Sequence, residues 1–123
     1  MANEKEMNEV LDHFQSEVPG FIAASLVDLD SGMTLAVRSM RADFDLAVAS
    51  AYNSELVKQK QKIMRSLNLK TTLEDMIITL GDQIHFIKLV GPTMFIYLAA
   101  DRASSNIAIV RNVVAKHAKQ IGA

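Results

Sequence analysis

The sequence predicts an α+β fold with elements in the order α-β-β-α-β-β-β-α and one five-stranded antiparallel sheet, spatial order 2-1-5-4-3, with helices on both faces. Three observations carry this reading. Helical apolar spacing occurs at both ends and in the middle of the chain, and five extended runs lie between. Short turn signals join the runs into hairpins, which makes the sheet antiparallel. The runs at 21–29 and 93–100 are apolar on both parities, as strands covered on both faces are, so they lie side by side at the centre.

In the first segment, Met7, Val10, Leu11, Phe14 and Val18 form one helix stripe, ended by Pro19-Gly20. FIAASLVDLD is the first strand, and Asp30-Ser31-Gly32 turns it into MTLAVRS. In that return strand Leu35 and Val37 face one way, and Thr34, Ala36 and Arg38 the other. Asp43 is positioned to cap a helix running to about Asn68. TTLEDMIITL, HFIKLV and TMFIYLAA follow, separated by Gly81-Asp82-Gln83 and Gly91-Pro92. Ser104 or Ser105 is placed to cap a last helix that bears Ile107, Val110, Val113, Val114, His117 and Ile121. The strand at 71–80 is left at a sheet edge, where MIITL needs a cover.

With 123 residues, 50% of them hydrophobic, the chain fits one domain, 1–123, with a real core. It has no cysteine, so disulfides and thiolate chemistry are excluded. The N-terminal MANEKEMNEVLDHF lacks the basic and apolar regions of a signal peptide. No apolar run approaches the about 18 residues that span a bilayer. The expectation is a cytoplasmic protein with no membrane insertion. The net charge of −1 argues against a nucleic-acid partner. Residues 1–54 carry nine acids and three bases, and residues 55–123 five acids and ten bases. Such a dipole steers a partner or balances within one fold.

Catalytic and ligand motifs are weak. Asp28 to Gly32 resembles the start of a calcium loop, but Met33 stands where that loop needs glycine and Ser39 where it needs glutamate. His13, His85 and His117 lie on three elements without paired ligand spacing, and His85 and His117 read as half-buried amphipathic residues rather than ligands. No phosphate loop, dinucleotide fingerprint or nucleophile elbow is present. The expectation is no enzyme, no cofactor and no metal.

The middle helix also carries ELVKQKQKIMR (55–65), whose lysines look like a basic row. At about 100° per residue they separate onto two flanks, which removes the nucleic-acid reading. From Phe44, the residues Val48, Ala51, Tyr52, Leu56, Ile63 and Leu67 fall within an arc of roughly 160°, read as the face against the sheet. Leu46, Val57 and Met64 fall near 200–220°, read as an exposed seam facing a partner.

VPGFIAASLVDLDSGMTLA (18–36), the alanine-rich DLAVASAYNSEL, EDMIITLGDQIHFIKLV and the last strand with Asp101-Arg102 are similar to segments of the Roadblock family of dynein light chains and their bacterial relatives. The resemblance covers nearly the whole chain. It implies a profilin/longin-like fold and a homodimer joined through helix 43–68 and strand 71–80. The interface residues it implies are Leu46, Ser50, Asn53, Val57, Lys60, Gln61, Met64, Thr72, Glu74, Met76 and Ile78. It also implies a non-catalytic regulator of a small Ras-like GTPase, with the bacterial branch favoured. The alternatives are a scaffold or motor-associated subunit without effect on nucleotide turnover, and a PAS-like small-ligand sensor, which uses the same strand order but several short helices after strand two.

Overall fold

The computed structural model describes residues 2–122; Met1 and Ala123, the ends of the expected domain, lie outside the described residues. The elements are α1 (Glu4–Glu17), β1 (Phe21–Asp28), β2 (Thr34–Ser39), α2 (Leu46–Ser66), β3 (Asp75–Thr79), β4 (Gln83–Val90), β5 (Met94–Asp101) and α3 (Ile107–Ala118), the last followed by a short 3-10 turn. The sheet order is β2-β1-β5-β4-β3, every pair antiparallel. Order and element sequence agree with the expectation.

Local chemistry sets the element ends. Asn3 and Glu6 form a reciprocal capping box that starts α1. In the β1–β2 hairpin the Asp28 carboxylate accepts from the Ser31 amide at 3.0 Å and the Ser31 hydroxyl at 2.6 Å. Gly32 then takes φ +75°, open to glycine at little cost. Two expected caps are displaced. Arg41 holds the Asp43 carboxylate at 3.0 and 3.2 Å, so Asp45 caps α2 instead, accepting from the Val48 amide. Ser104 is engaged by the Asp101 carboxylate, and Asn106 caps α3.

Two apolar layers sandwich the sheet. On one face α1 and α3 bury Val10, Leu11, Phe14, Val110 and Val114 against Leu26, Phe86, Ile96 and Leu98. On the other, α2 packs mainly on β1 and β2, and places Leu46 and Val57 against Val27, Ile87, Phe95 and Tyr97. The β1–β2 register shifts at Leu26/Val27, opposite the stretch from Thr34 to Ala36. Leu35 and Val37 are exposed, whereas Ala36 and Arg38 turn inward; Arg38 reaches Asp12 at 2.6 Å and Gln15 at 2.9 Å on α1.

The rotation of α2 is opposite to the expected one. Leu46, Ser50, Ser54, Val57 and Met64 face the sheet, while Val48, Tyr52, Leu56, Ile63 and Leu67 point outward, Tyr52 being 74% exposed. The expected exposed seam of Leu46, Val57 and Met64 is thus core, and the expected core stripe is surface except at Phe44, which packs against the second layer. The reason is two serines. The Ser25 and Ser50 hydroxyls share a buried hydrogen bond of 2.8 Å, and the Ser54 hydroxyl donates to the Leu29 carbonyl at 2.6 Å. A Cβ on Gly32 would stand 3.4 Å from Ala51 Cα and 3.5 Å from Ser54 Cβ, so the hairpin comes up close under the helix. Small residues with internally satisfied hydroxyls let α2 sit near the sheet, where larger side chains would hold it off.

These faces are distinguished by mutation. Val57→Ala removes fully buried methyl groups and is expected to cost about 2 kcal/mol of unfolding free energy. For the monomeric chain, Tyr52→Ala is expected to change stability by about 0.5 kcal/mol or less. Urea unfolding of both variants measures the difference.

Candidate functional site

The outward face of α2 is an apolar surface that the fold leaves uncovered by its own chain. Val48, Tyr52, Leu56, Ile63 and Leu67 fall within an arc of about 100° on the helix wheel. They run over about 29 Å of axis, from 1.5 Å per residue. All five are exposed by more than a third. Isolated apolar residues on a surface need no explanation, but a row of this length is a contact surface in the making.

Beside it the sheet is open. β3 is an edge strand with no neighbour on its outer side. Met76 and Ile78 pair with Ile87 and His85, which places them on the α2 side of the sheet, and both are half-buried. Ile77, opposite Phe86, packs into the α1–α3 layer. A groove of about 800 Å³ runs between the C-terminal half of α2 and residues 69–74, lined by Gln61, Met64, Arg65, Thr72, Glu74, Lys88 and Leu89 among others.

The expected interface residues divide accordingly. Gln61, Met64, Thr72 and Glu74 meet in the groove, Met76 and Ile78 lie at the open edge, and Lys60 is exposed. Leu46, Ser50 and Val57 are sealed beneath α2 and present nothing to a partner. Asn53 is half-buried and lies near the Tyr97 hydroxyl. Val48, Tyr52, Leu56, Ile63 and Leu67 were absent from the expected interface, although their helical alignment was plain. What misplaced them was the assumption that the largest apolar stripe must face the sheet.

Between α2 and β3 lies an aromatic and polar cluster. The His85 Nε2 stands 2.7 Å from Gln83 Oε1 and its Nδ1 3.2 Å from the Tyr97 hydroxyl. The amide oxygen can only accept, so Nε2 carries the proton and Nδ1 accepts from Tyr97. Phe44 packs edge-on against His85 and stacks on Tyr97. Burial pushes the Tyr97 hydroxyl up to about 12, with the nearby Asn53 side chain acting the other way. Burial holds the His85 imidazole below its usual range, partly offset by the charge of Asp82.

The His85 shift has a pH consequence. A depressed folded-state pKa means that the unfolded chain takes up the proton first, so stability is full above about pH 6.5 and falls as pH drops below it. The carboxylates with lowered values, Glu17, Asp28 and Asp43, titrate below their ordinary 4.5 or 3.8 and lie outside that window. Between pH 7.5 and 5.5 the urea midpoint of the native chain is expected to fall more than that of a His85→Asn variant; equal falls would remove His85 as the cause.

Among solved structures the chain is similar to Myxococcus xanthus MglB, with 12% identity, a TM-score of 0.86, and coverage of 98% of this chain and 94% of that one. An MglB described as having a tetrameric arrangement matches at 13% identity and a TM-score of 0.80, covering 97% and 89%. A Roadblock/LC7 domain from Streptomyces avermitilis matches at 16% identity and a TM-score of 0.79, covering 98% and 95%. Acanthamoeba castellanii profilin IA shares the wider architecture, at 13% identity and a TM-score of 0.61, covering 94% of each chain. No protein-family model and no curated protein matches the sequence. At these identities the likeness is one of fold: the chain has the Roadblock/LC7 fold, in the form found in bacterial MglB structures.

Proposed function

We propose that the chain is a single-domain, non-catalytic interaction protein of the cytoplasm that self-associates and, as a dimer, binds and regulates a small Ras-like GTPase. The observation that carries this reading is the outward apolar stripe of α2, with a groove along the C-terminal half of the helix leading to the segment before the open β3 edge. An exposed row of apolar side chains loses stabilisation to water, and an unpaired strand edge invites aggregation. A second copy relieves both at once: strands pair edge to edge, and the outward faces of α2 pack together. The stripe is long enough for an interface of the roughly 1,600 Å² typical of stable complexes. The tetrameric arrangement of one structural relative supports self-association. The GTPase belongs to what the Roadblock resemblance implies, and the MglB likeness of the fold supports the bacterial branch of it.

The interface is revised from the sequence expectation. Its centre is the α2 stripe, with Gln61, Met64, Thr72, Glu74, Met76 and Ile78 around it, and without Leu46, Ser50 and Val57. A scaffold without effect on nucleotide turnover uses the same dimer, so a turnover assay separates the two readings. The PAS-like alternative loses its ground: α2 is one helix of 21 residues, and the space beneath it is filled by Phe95, Tyr97 and Ile87.

Light scattering behind a sizing column is expected to give twice the 13.6 kDa chain mass. The double variant Tyr52→Glu/Ile63→Glu sets charges into the stripe and is expected to give a folded monomer. A native chain that stays monomeric at micromolar concentration sinks the dimer. With a small Ras-like GTPase of the same organism, single-turnover GTP hydrolysis is expected to change on adding the native chain and not the monomeric variant. Binding without a change in rate would favour the scaffold.

A further inference from the structure

We propose that His13, Glu17 and His117 form a site for a divalent transition-metal ion of the zinc class, which fastens α1 to α3 on the face of the sheet opposite α2. His13 and Glu17 are one turn apart on α1, and His117 lies a hundred positions beyond Glu17 at the end of α3. The fold brings one donor atom of each to within 4.8 Å of the other two. Glu17 Oε2 is 3.0 Å from His13 Nδ1 and 2.7 Å from His117 Nε2. The two imidazoles stack, with centroids 4.1 Å apart and planes 5° from parallel.

Two imidazole nitrogens and a carboxylate oxygen are a donor set that borderline divalent ions prefer, and one that calcium or magnesium does not. In a tetrahedral zinc site, bonds of about 2.0–2.1 Å put neighbouring donors about 3.3 Å apart. To reach that spacing the Glu17 contacts open by about 0.3 Å to His13 and about 0.6 Å to His117, the two imidazole nitrogens lie within 4.8 Å of each other, and the rings tilt toward a common centre. Each ring presents its nitrogen to the metal by carrying its proton on the other nitrogen or releasing it. His117 is buried and also meets the Phe14 ring edge-on, so it is held in place, while His13 stands at the solvent side and leaves an entry path. Lys116 Nζ, 3.5 Å from Glu17 Oε1, opposes a cation but sits on an exposed side chain that can swing away.

A glutamate carboxyl, with an ordinary value of about 4.3, is ionised at neutral pH. The carboxylate is therefore available as an anionic ligand at neutral pH. Because the ligands come from two helices, an ion bound here stabilises the folded chain by mass action and leaves the α2 surface untouched.

The test is calorimetric titration of the purified, tag-free chain with zinc chloride, with cobalt(II) absorption as a second readout and thermal unfolding as a third. Expected are saturation at one ion per chain, d–d bands of cobalt bound to nitrogen and oxygen donors, and a rise in Tm with zinc. His13→Ala, at a half-exposed position that leaves the fold intact, is expected to weaken binding at least about tenfold and to abolish the rise in Tm. Glu17→Gln is expected to do the same, and His117→Ala is judged only if its metal-free Tm shows it folded. No saturable binding to the native chain, or equal affinity in the native and His13→Ala chains, overturns the site.

Discussion

The seating of α2 on β1 is the constraint on which the rest of the molecule turns. Two serine hydroxyls, Ser50 and Ser54, are buried on the underside of the helix, and each is satisfied within the fold, by Ser25 and by the Leu29 carbonyl. A buried hydroxyl left unpaired costs about 1–3 kcal/mol, so these two bonds fix how the helix is rotated about its axis. A rotation that turned them outward would leave the Ser25 hydroxyl and the Leu29 carbonyl beneath the helix without these partners. Gly32 allows the hairpin to approach beneath, and Lys58 adds a bond to the Asp30 carbonyl at the rim.

Once that rotation is fixed, the outer surface follows. The large side chains from Val48 to Leu67 have no position left except outward, and α2 covers the β1–β2 side of the sheet while β3 stays open. The apolar stripe is thus a consequence of that packing, while the β3 edge follows from the strand order, which leaves β2 and β3 outermost. The polar cluster of His85, Gln83, Tyr97 and Asn53 lies between them with its hydrogen bonds made inside the chain, so it adds little to what a partner would have to desolvate.

The opposite face is built differently. There α1 and α3 seal a layer of large apolar residues, and polar links at its rim tie distant parts of the chain: Arg38 to Asp12, Arg111 to Asp75, Gln120 to Glu9 and His117 to Glu17. Most of these are exposed pairs, worth about 0–1 kcal/mol each. The Glu17 group differs because one of its imidazoles is buried and three donors converge. Self-association on the α2 side and metal binding on the α1–α3 side would therefore be independent events.

The fold was legible in the sequence because it rests on local periodicity. The stripe of α1, the doubly apolar strands 21–29 and 93–100, the Asp30-Ser31-Gly32 turn and the polar edge strand each follow from residues near one another in the chain, and together they leave one sheet order. The Roadblock likeness was legible in the same segments. The helix caps were misread by two positions at Asp45 because Arg41 claims the nearer carboxylate. The face of α2 was misread because a hydrophobic wheel weighs side-chain size, whereas this contact is made by serines whose partners, Ser25 and Leu29, lie on another element. His13 and His117 could not be joined from sequence, since no spacing rule links positions that only the sheet between them brings together. Sequence alone determined the order and nature of the elements, because those are set by neighbours. Only tertiary packing decided which face of α2 looks outward and which distant side chains meet, because those depend on how closely two elements approach.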